Sequence, residues 1–302
     1  MEYLHEFQRR GAEFWKDLNT FELYQNGSVD HGIHSGYKYS WALPFEKLEN
    51  PEHVTRLLQQ YWHWTIYISV VYFILIKGIQ YLLTNRKPFD LKIPLVLWNG
   101  ALAVFSIAGF LRFGEDLFDT MKTRPAYEWV CYSCHPKDVA AFWSLMFALS
   151  KLVELGDTLF IVLRKKPLIF LHYYHHVAVL IYTFHSGAEH TAAGRAFITM
   201  NYFAHSVMYT YYTITASGIR VPRPIAKSVT IVQTTQMLAG VAVSCFVLWV
   251  KDNTNWPCQQ SRANLGLAFL IYTTFLVLFL HFYWRAYHSR PAAKSTQRPK
   301  KD

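Results

Sequence analysis

Charge is scarce in this chain. Of its 302 residues only 17% are Asp, Glu, Lys or Arg, against about 25% in an ordinary soluble domain. Acidic residues are the scarcer half. Twenty Asp and Glu stand against 30 Lys and Arg, giving a formal charge of +10 and a pI of about 9.3. Cysteine is scarce as well, with four in the chain, which excludes a small scaffold stapled by disulfides. No signal peptide is expected, because the first 61 residues are mixed and acidic and lack an apolar core of that kind. What is abundant is apolar side chain, 52% hydrophobic and 17% aromatic, which excludes disorder. The positive charge suggests nucleic acid and the low charged fraction opposes it, so the placement of the basic residues has to decide. Mean hydropathy is only +0.08, so membrane character must be read segment by segment.

A spanning helix needs about 20 mainly apolar residues. Seven segments qualify: Trp62 to Leu83, Ile93 to Phe113, Val139 to Leu163, Pro167 to Phe184, Arg195 to Ala216, Ile225 to Val250 and Ala263 to Arg285. The first, second, sixth and seventh are plainly hydrophobic. The other three carry polar residues at helical spacing that leave the remaining face apolar. The expected fold is therefore all-α, a polytopic membrane protein with seven transmembrane helices. Residues 1–61 form a lumenal segment, 62–285 a membrane domain and 286–302 a disordered basic tail.

Loop charge orients the spans. Arg86, Lys87 and Lys92, then Arg164, Lys165 and Lys166, then Arg220, Arg223 and Lys227, and then six basic residues from Arg285 to Lys301 alternate with poorer loops. Fifteen of the 30 basic residues thereby fall on one side. The alternation places the N-terminus outside the cytosol and the C-terminus inside it, with the span at Trp62 as first signal anchor. Asn26-Gly27-Ser28 is then a lumenal N-glycosylation sequon. Cys131, Cys134 and Cys258 share the oxidising side, so Cys258 can bridge to Cys131 or to Cys134. The tail ends Arg298-Pro299-Lys300-Lys301-Asp302, which resembles a dilysine retrieval signal of the endoplasmic reticulum with imperfect spacing.

Polar residues inside the spans converge on one depth. His172, His175 and His176 share a helical face at i, i+3 and i+4. Asn201, His205, Tyr209 and Tyr212 form a stripe on the next span. Lys151 and Glu154 can pair at i, i+3, whereas Asp157 finds no partner in its own helix and is expected to meet a histidine from a neighbouring span. Gln233 and Gln236 add amides, which commonly join membrane helices. At about 1.5 Å per residue, all of these lie roughly 8 to 17 Å inside the cytosolic boundary. One polar chamber is expected there, rimmed by basic loops able to hold phosphate, with an apolar lumenal half beyond it.

The segments Lys151-Leu152-Val153-Glu154-Leu155-Gly156-Asp157-Thr158, His172-Tyr173-Tyr174-His175-His176, Met200 to Tyr212 and Gln233-Thr234-Thr235-Gln236-Met237 occur in this order. Together they resemble the very-long-chain fatty acid elongases, over about residues 60–288. The resemblance implies seven spans in the endoplasmic reticulum membrane. It also implies decarboxylative condensation of malonyl-CoA with a long-chain acyl-CoA to give 3-oxoacyl-CoA. The Asn-Tyr-x-x-His form at Asn201 is most similar to the subgroup acting on saturated and monounsaturated chains. A ketoacyl-CoA reductase, a 3-hydroxyacyl-CoA dehydratase and an enoyl-CoA reductase are the implied partners, alongside membrane lipid. The oligomeric state stays open, a homo-oligomer included.

No Cys lies in the chamber, since Cys245 sits late in its span, so imidazole is the nucleophile or base to expect. His175 would accept the acyl chain or act as principal base, with His205 as second catalytic imidazole. His172 and His176 would orient these or bind metal, although no metal or other cofactor is expected. Asp157 would fix a tautomer, and Asn201 and Gln236 would donate to oxyanions. Substrate contacts are expected from Lys151, Glu154, Tyr209, Tyr212, Gln233, Arg164, Lys165, Lys166, Arg220, Arg223 and Lys227. A membrane di-iron desaturase or hydroxylase shares the His-x-x-His-His pattern but needs several such boxes, and one is present. A seven-span receptor fits the span count and poorly fits clustered His and acidic groups near the cytosol.

Overall fold

The computed structural model describes residues 2–24 and 32–288. The sequon at Asn26 and the tail from residue 289, with its basic C-terminal motif, lie outside the described residues. The helices are α1 (Glu2–Leu18), α2 (Pro51–Tyr61), α3 (Trp64–Leu82), α4 (Lys92–Thr123), α5 (Glu128–Cys131), α6 (Val139–Glu154), α7 (Gly156–Leu163), α8 (Phe170–Glu189), α9 (Gly194–Ala216), α10 (Arg223–Asn253) and α11 (Arg262–Tyr287). Local chemistry starts several of them. The Asn50 side chain accepts from His53 N at the head of α2, with Pro51 in the first turn, and Ser261 accepts from Asn264 N at the head of α11. Among the described residues no strand forms, and one isolated bridge joins His34 to Ser133.

Four helices, α3, α4, α10 and α11, are long and apolar enough to cross a membrane. They are the four segments that are plainly hydrophobic in the sequence, and they make this a multi-pass membrane protein. The helices differ from the expected spans in three places. The helix expected over residues 139–163 is two helices meeting at Leu155. α8 starts at Phe170 and runs to Glu189, so His185 lies inside a helix rather than in a loop. α4 continues past Phe113 to Thr123 because its polar residues find partners from outside the helix. Tyr37 donates to Glu115, Ser35 donates to Asp116, and Arg112 pairs with Glu46.

The most extensive helix contact is α4 on α9. It is close because Gly109 lies under the Tyr202 ring, where a Cβ would overlap it. The Tyr202 hydroxyl donates to Trp143 O at 2.9 Å and ties α6 to the same layer. At the basic-loop end, Lys165 takes a left-handed conformation (φ 53°) and donates to the carbonyls of Thr84 and Arg86 at 2.9 Å.

The opposite end is closed by a disulfide between Cys131 and Cys258, which decides between the two pairings open in the sequence. Cys134 remains a free thiol, and burial pushes it up to about 12. Gln259 N donates to Cys131 O, Ala192 N to Gln259 O, and the Ser261 hydroxyl to Glu189, so the bridged loops are also sewn to the ends of α8 and α9. This half of the bundle is not wholly apolar, contrary to expectation. Arg195, 2% exposed, pairs with Asp116 at 2.8 Å and also donates to Thr120, Glu128 O and Tyr132 O. Glu46 is fully buried and accepts from Arg112 at 2.7 Å and from the Trp143 indole at 2.7 Å. These charges are tolerated because each is paired and hydrogen-bonded.

Two outcomes are expected. Non-reducing peptide mapping recovers Cys131 joined to Cys258, and Cys134 resists alkylation until the protein is unfolded. The hydrogen bond from Arg112, more than any other contact, holds the Glu46 carboxyl down from its ordinary 4.5 to about 2. Its contribution to stability is therefore complete above pH 4.5 and is lost as pH falls through about 2. Thermal unfolding in detergent should show that acid loss, and Glu46→Gln should melt lower at neutral pH and lose less on acidification.

Candidate active site

The break between α6 and α7 builds the first wall. Gly156 faces the Trp98 ring of α4 with no room for a Cβ, so the chain can bend there against α4. Above the bend, Lys151 and Glu154 are each 2% exposed and pair at 2.8 Å. Ser150 donates to the same Glu154 oxygen at 2.9 Å, and Lys151 also donates to Asn201 Oδ1 at 3.1 Å. That contact fixes the Asn201 amide so that its NH2 group remains for another acceptor. His205 Nδ1 lies 3.6 Å from Glu154 Oε1. Lys151, Glu154, Asn201 and His205 thus form one buried cluster joining α6 to α9.

Below the bend, Asp157 departs from expectation. Its partners are Trp98 Nε1 at 2.6 Å and the Tyr209 hydroxyl at 2.7 Å, not a histidine. Two neutral donors from α4 and α9 reach the carboxylate first, so it cannot set an imidazole tautomer. Thr158 instead meets His172 Nε2 at 2.9 Å, and Tyr72 of α3 reaches Thr158 at 2.6 Å. His172 and His176 stack edge-on with ring centres 4.6 Å apart, and His176 Nδ1 is buried without a partner among the described residues. His175 lies against Phe275 at 4.9 Å and His176 at 5.5 Å.

Two cavities meet at these residues. The wider one, about 430 Å³, lies toward the basic-loop end and is lined by Glu154, Asp157, His172, His176, His205 and Tyr212, among others. The narrower one, about 130 Å³, runs toward the disulfide end. His175, Asn201, Gln236 and Met237 line both. On α8 the narrow arm follows one face, His175, Val179, Tyr182, Thr183, Ser186 and His190. From His175 to the C-cap residue His190 the run advances fifteen residues, or about 22 Å. α2 lines its far end with Val54, Thr55 and Leu58, and Thr55 bonds His190 Nε2 at 2.7 Å. Residues ahead of Trp62 therefore belong to the cavity wall.

The basic rim is smaller than expected. Arg164 and Lys166 line the wide cavity, but Lys165 is taken up by backbone carbonyls. Arg220 is exposed and outside the wall, Arg223 reaches Ala286 O, and Lys227 sits over the Tyr283 ring. Gln233 does line the wide cavity and donates to the Met208 sulfur at 3.0 Å. Among the described residues no group of three or more His, Cys, Asp or Glu is arranged to hold a metal ion. Trp98 and Tyr72 escaped the sequence reading because each is one of several aromatics in an apolar span, with no spacing that marks it.

Residues 57–295 match the model of the ELO: GNS1/SUR4 family. The chain belongs to that family. It is 60% identical over 284 residues to "Putative fatty acid elongase 4" of Caenorhabditis elegans, covering 94% of this chain and 97% of that one. It is 42% identical over 245 residues to "Very long chain fatty acid elongase 6" of Homo sapiens, covering 80% of this chain and 91% of that one. The Drosophila melanogaster protein of the same name is 39% identical over 260 residues, 85% and 82% of the two chains.

Removing Glu154 alone leaves Lys151 as a buried cation without its counter-charge, which should cost about 3–5 kcal/mol. Glu154→Ala should therefore melt far below the wild type in detergent. The double variant Lys151→Met, Glu154→Leu should recover most of that loss.

Proposed function

We propose that this ELO-family protein is the condensing enzyme of fatty acid elongation, joining malonyl-CoA to a long-chain acyl-CoA to give 3-oxoacyl-CoA, CO2 and CoA. The elongase relatives support the activity. The observation that carries the site is the meeting of a wide cavity that gathers most of the ionisable side chains and a narrow, mainly apolar cavity at His175, Asn201 and Gln236. The narrow arm suits a hydrocarbon tail, and the wide arm suits a phosphopantetheine with its phosphates near Arg164 and Lys166.

On this reading the acyl thioester carbonyl sits at the junction. His175 makes no hydrogen bond among the described residues, so its ring is available to attack. The imidazole nitrogen bonds to the acyl carbon, the carbon–sulfur bond breaks, and CoA leaves as the thiol with the proton that imidazole gives up. Malonyl-CoA then loses CO2, and the electron pair of the broken carbon–carbon bond becomes an enolate. The enolate carbon attacks the acyl-imidazole, the nitrogen–carbon bond breaks, and the departing ring nitrogen takes a proton drawn from solvent through His205, which returns neutral His175 and balances the proton lost with CoA. Asn201 and Gln236 donate to the oxygen that gains charge in each step. His205, held beside Glu154, is the second imidazole, moving protons next to the reacting carbon. No cofactor is needed, because both CoA esters are substrates.

The topology that fits is seven spans: α3, α4, α6 with α7, α8, α9, α10 and α11. The Cys131–Cys258 bridge favours an oxidising compartment at its end, and the basic loops favour the cytosol at theirs. This is the orientation of an endoplasmic reticulum enzyme with a lumenal N-terminus and cytosolic C-terminus, followed by the ketoacyl-CoA reductase, the dehydratase and the enoyl reductase. The Asn-Tyr-x-x-His motif and the elongase 6 relatives favour saturated and monounsaturated acyl chains.

Microsomes carrying the protein should incorporate radiolabelled malonyl-CoA into 3-oxoacyl-CoA with saturated and monounsaturated long-chain acyl-CoA. Labelled acyl-CoA alone should leave label on the wild-type protein and release CoA, and His175→Ala should do neither. Absence of incorporation with every acyl-CoA would overturn the reading, and label retained on His175→Ala would move the nucleophile elsewhere.

A further inference from the structure

A chain of hydroxyls reaches the site from a helix that contributes nothing else to it. Tyr72 is buried in the middle of α3, in an apolar cluster with Ile76 and Val162. Its hydroxyl lies 2.6 Å from Thr158 Oγ1 on α7, and Thr158, with no exposed surface, lies 2.9 Å from His172 Nε2 on α8. Among the described residues the two hydroxyls have no other hydrogen-bond partners. His172 lines the wide cavity.

The hydrogens of this chain can run in two directions. Each hydroxyl carries one hydrogen. If His172 donated from Nε2, one hydroxyl hydrogen would be left without an acceptor: the phenol hydrogen if Thr158 donates to Tyr72, or the Thr158 hydrogen if its oxygen accepts from both neighbours. A buried donor left unmet is costly. Run the other way, every hydrogen is used: Tyr72 donates to Thr158, and Thr158 donates to His172 Nε2. The imidazole then carries its hydrogen on Nδ1.

We propose that Tyr72, acting through Thr158, is a positioning residue that holds His172 as the neutral Nδ1–H tautomer, a hydrogen-bond donor rather than a base in the wall of the reaction chamber. The ring nitrogen that could accept a proton is already engaged. His172 is therefore fitted to stabilise an oxygen that gains charge, the thioester oxygen of the acyl group or of the malonyl enolate, and proton removal falls to other imidazoles. Neither Tyr72 nor Thr158 touches substrate. The proposal rests on the reading of His172 as part of the condensation site.

The test is a double-mutant cycle on the full-length protein in microsomes, reading kcat and KM for condensation, with His172→Ala measured alongside. Tyr72→Phe and Thr158→Val should each lower kcat about tenfold, with little change in KM for either CoA ester. The double variant should fall no further than the worse single, because both changes cut one relay. Thr158→Ser keeps the hydroxyl and should keep most of kcat. Melting curves of the purified variants separate this from loss of fold: Tyr72→Phe should melt close to the wild type, since one oxygen is removed and the ring stays. Wild-type kcat in Tyr72→Phe, or a double variant whose loss is the product of the two single losses, overturns the relay. If His172→Ala condenses at the wild-type rate, the placing of His172 in the site fails and the relay falls with it. If His172→Ala is impaired while Tyr72→Phe is not, the site stands and the relay alone is wrong.

Discussion

The ion pair of Lys151 and Glu154 is the constraint around which the middle of the bundle is arranged. Both side chains are 2% exposed, and burying either alone would cost several kcal/mol. Their mutual attraction offsets that cost only when the remaining hydrogen-bonding capacity is met. Ser150 and Asn201 supply part of it, and His205 stands next to the carboxylate. The need to satisfy one buried pair therefore fixes an amide and an imidazole on α9 relative to α6. Helices that carry those groups cannot slide past one another without exposing a charge to apolar surroundings.

The two ends of the bundle are built by different means. At the disulfide end a covalent bridge, the Asp116–Arg195 pair and the Glu46–Arg112 pair lock loops and helix ends together. The narrow, mainly apolar arm that runs to α2 is walled by these tied segments. At the other end a wide cavity is bounded by Arg164 and Lys166, while most of the remaining basic residues serve the backbone or solvent. That asymmetry suits a substrate with a long apolar tail and a large anionic handle.

The histidines divide by their neighbours. His205 faces a carboxylate, His172 faces a hydroxyl and His175 faces an aromatic ring. A carboxylate accepts from an imidazole N–H, a hydroxyl can donate to the bare nitrogen, and a ring leaves both nitrogens to a reactant. Three chemically identical side chains within one chamber thereby stand in different surroundings.

Much of this was legible in the residues. The four most apolar spans, the helical stripes of His and Asn, and the Lys151–Glu154 pair follow from periodicity and charge, because i, i+3 and i+4 neighbours share a face whatever the tertiary fold. Membership of His172, His175, His205, Asn201 and Gln236 in one chamber followed from depth, since equal distances from a common boundary put side chains in one layer. Contacts between helices were not legible. Asp157 was expected to meet a histidine and instead meets Trp98 and Tyr209, because rotation of α4 and α9 about their axes decides which donor arrives first. The same holds for Cys131 over Cys134, three residues apart and alike in sequence context. It holds too for residues 51–58, a hydrophilic-looking stretch that only tertiary packing turns into part of the narrow arm's wall. Periodicity assigns a residue to a face and a depth. Which partner stands across that face depends on how whole helices are rotated and shifted, and the packing of all their side chains together sets that.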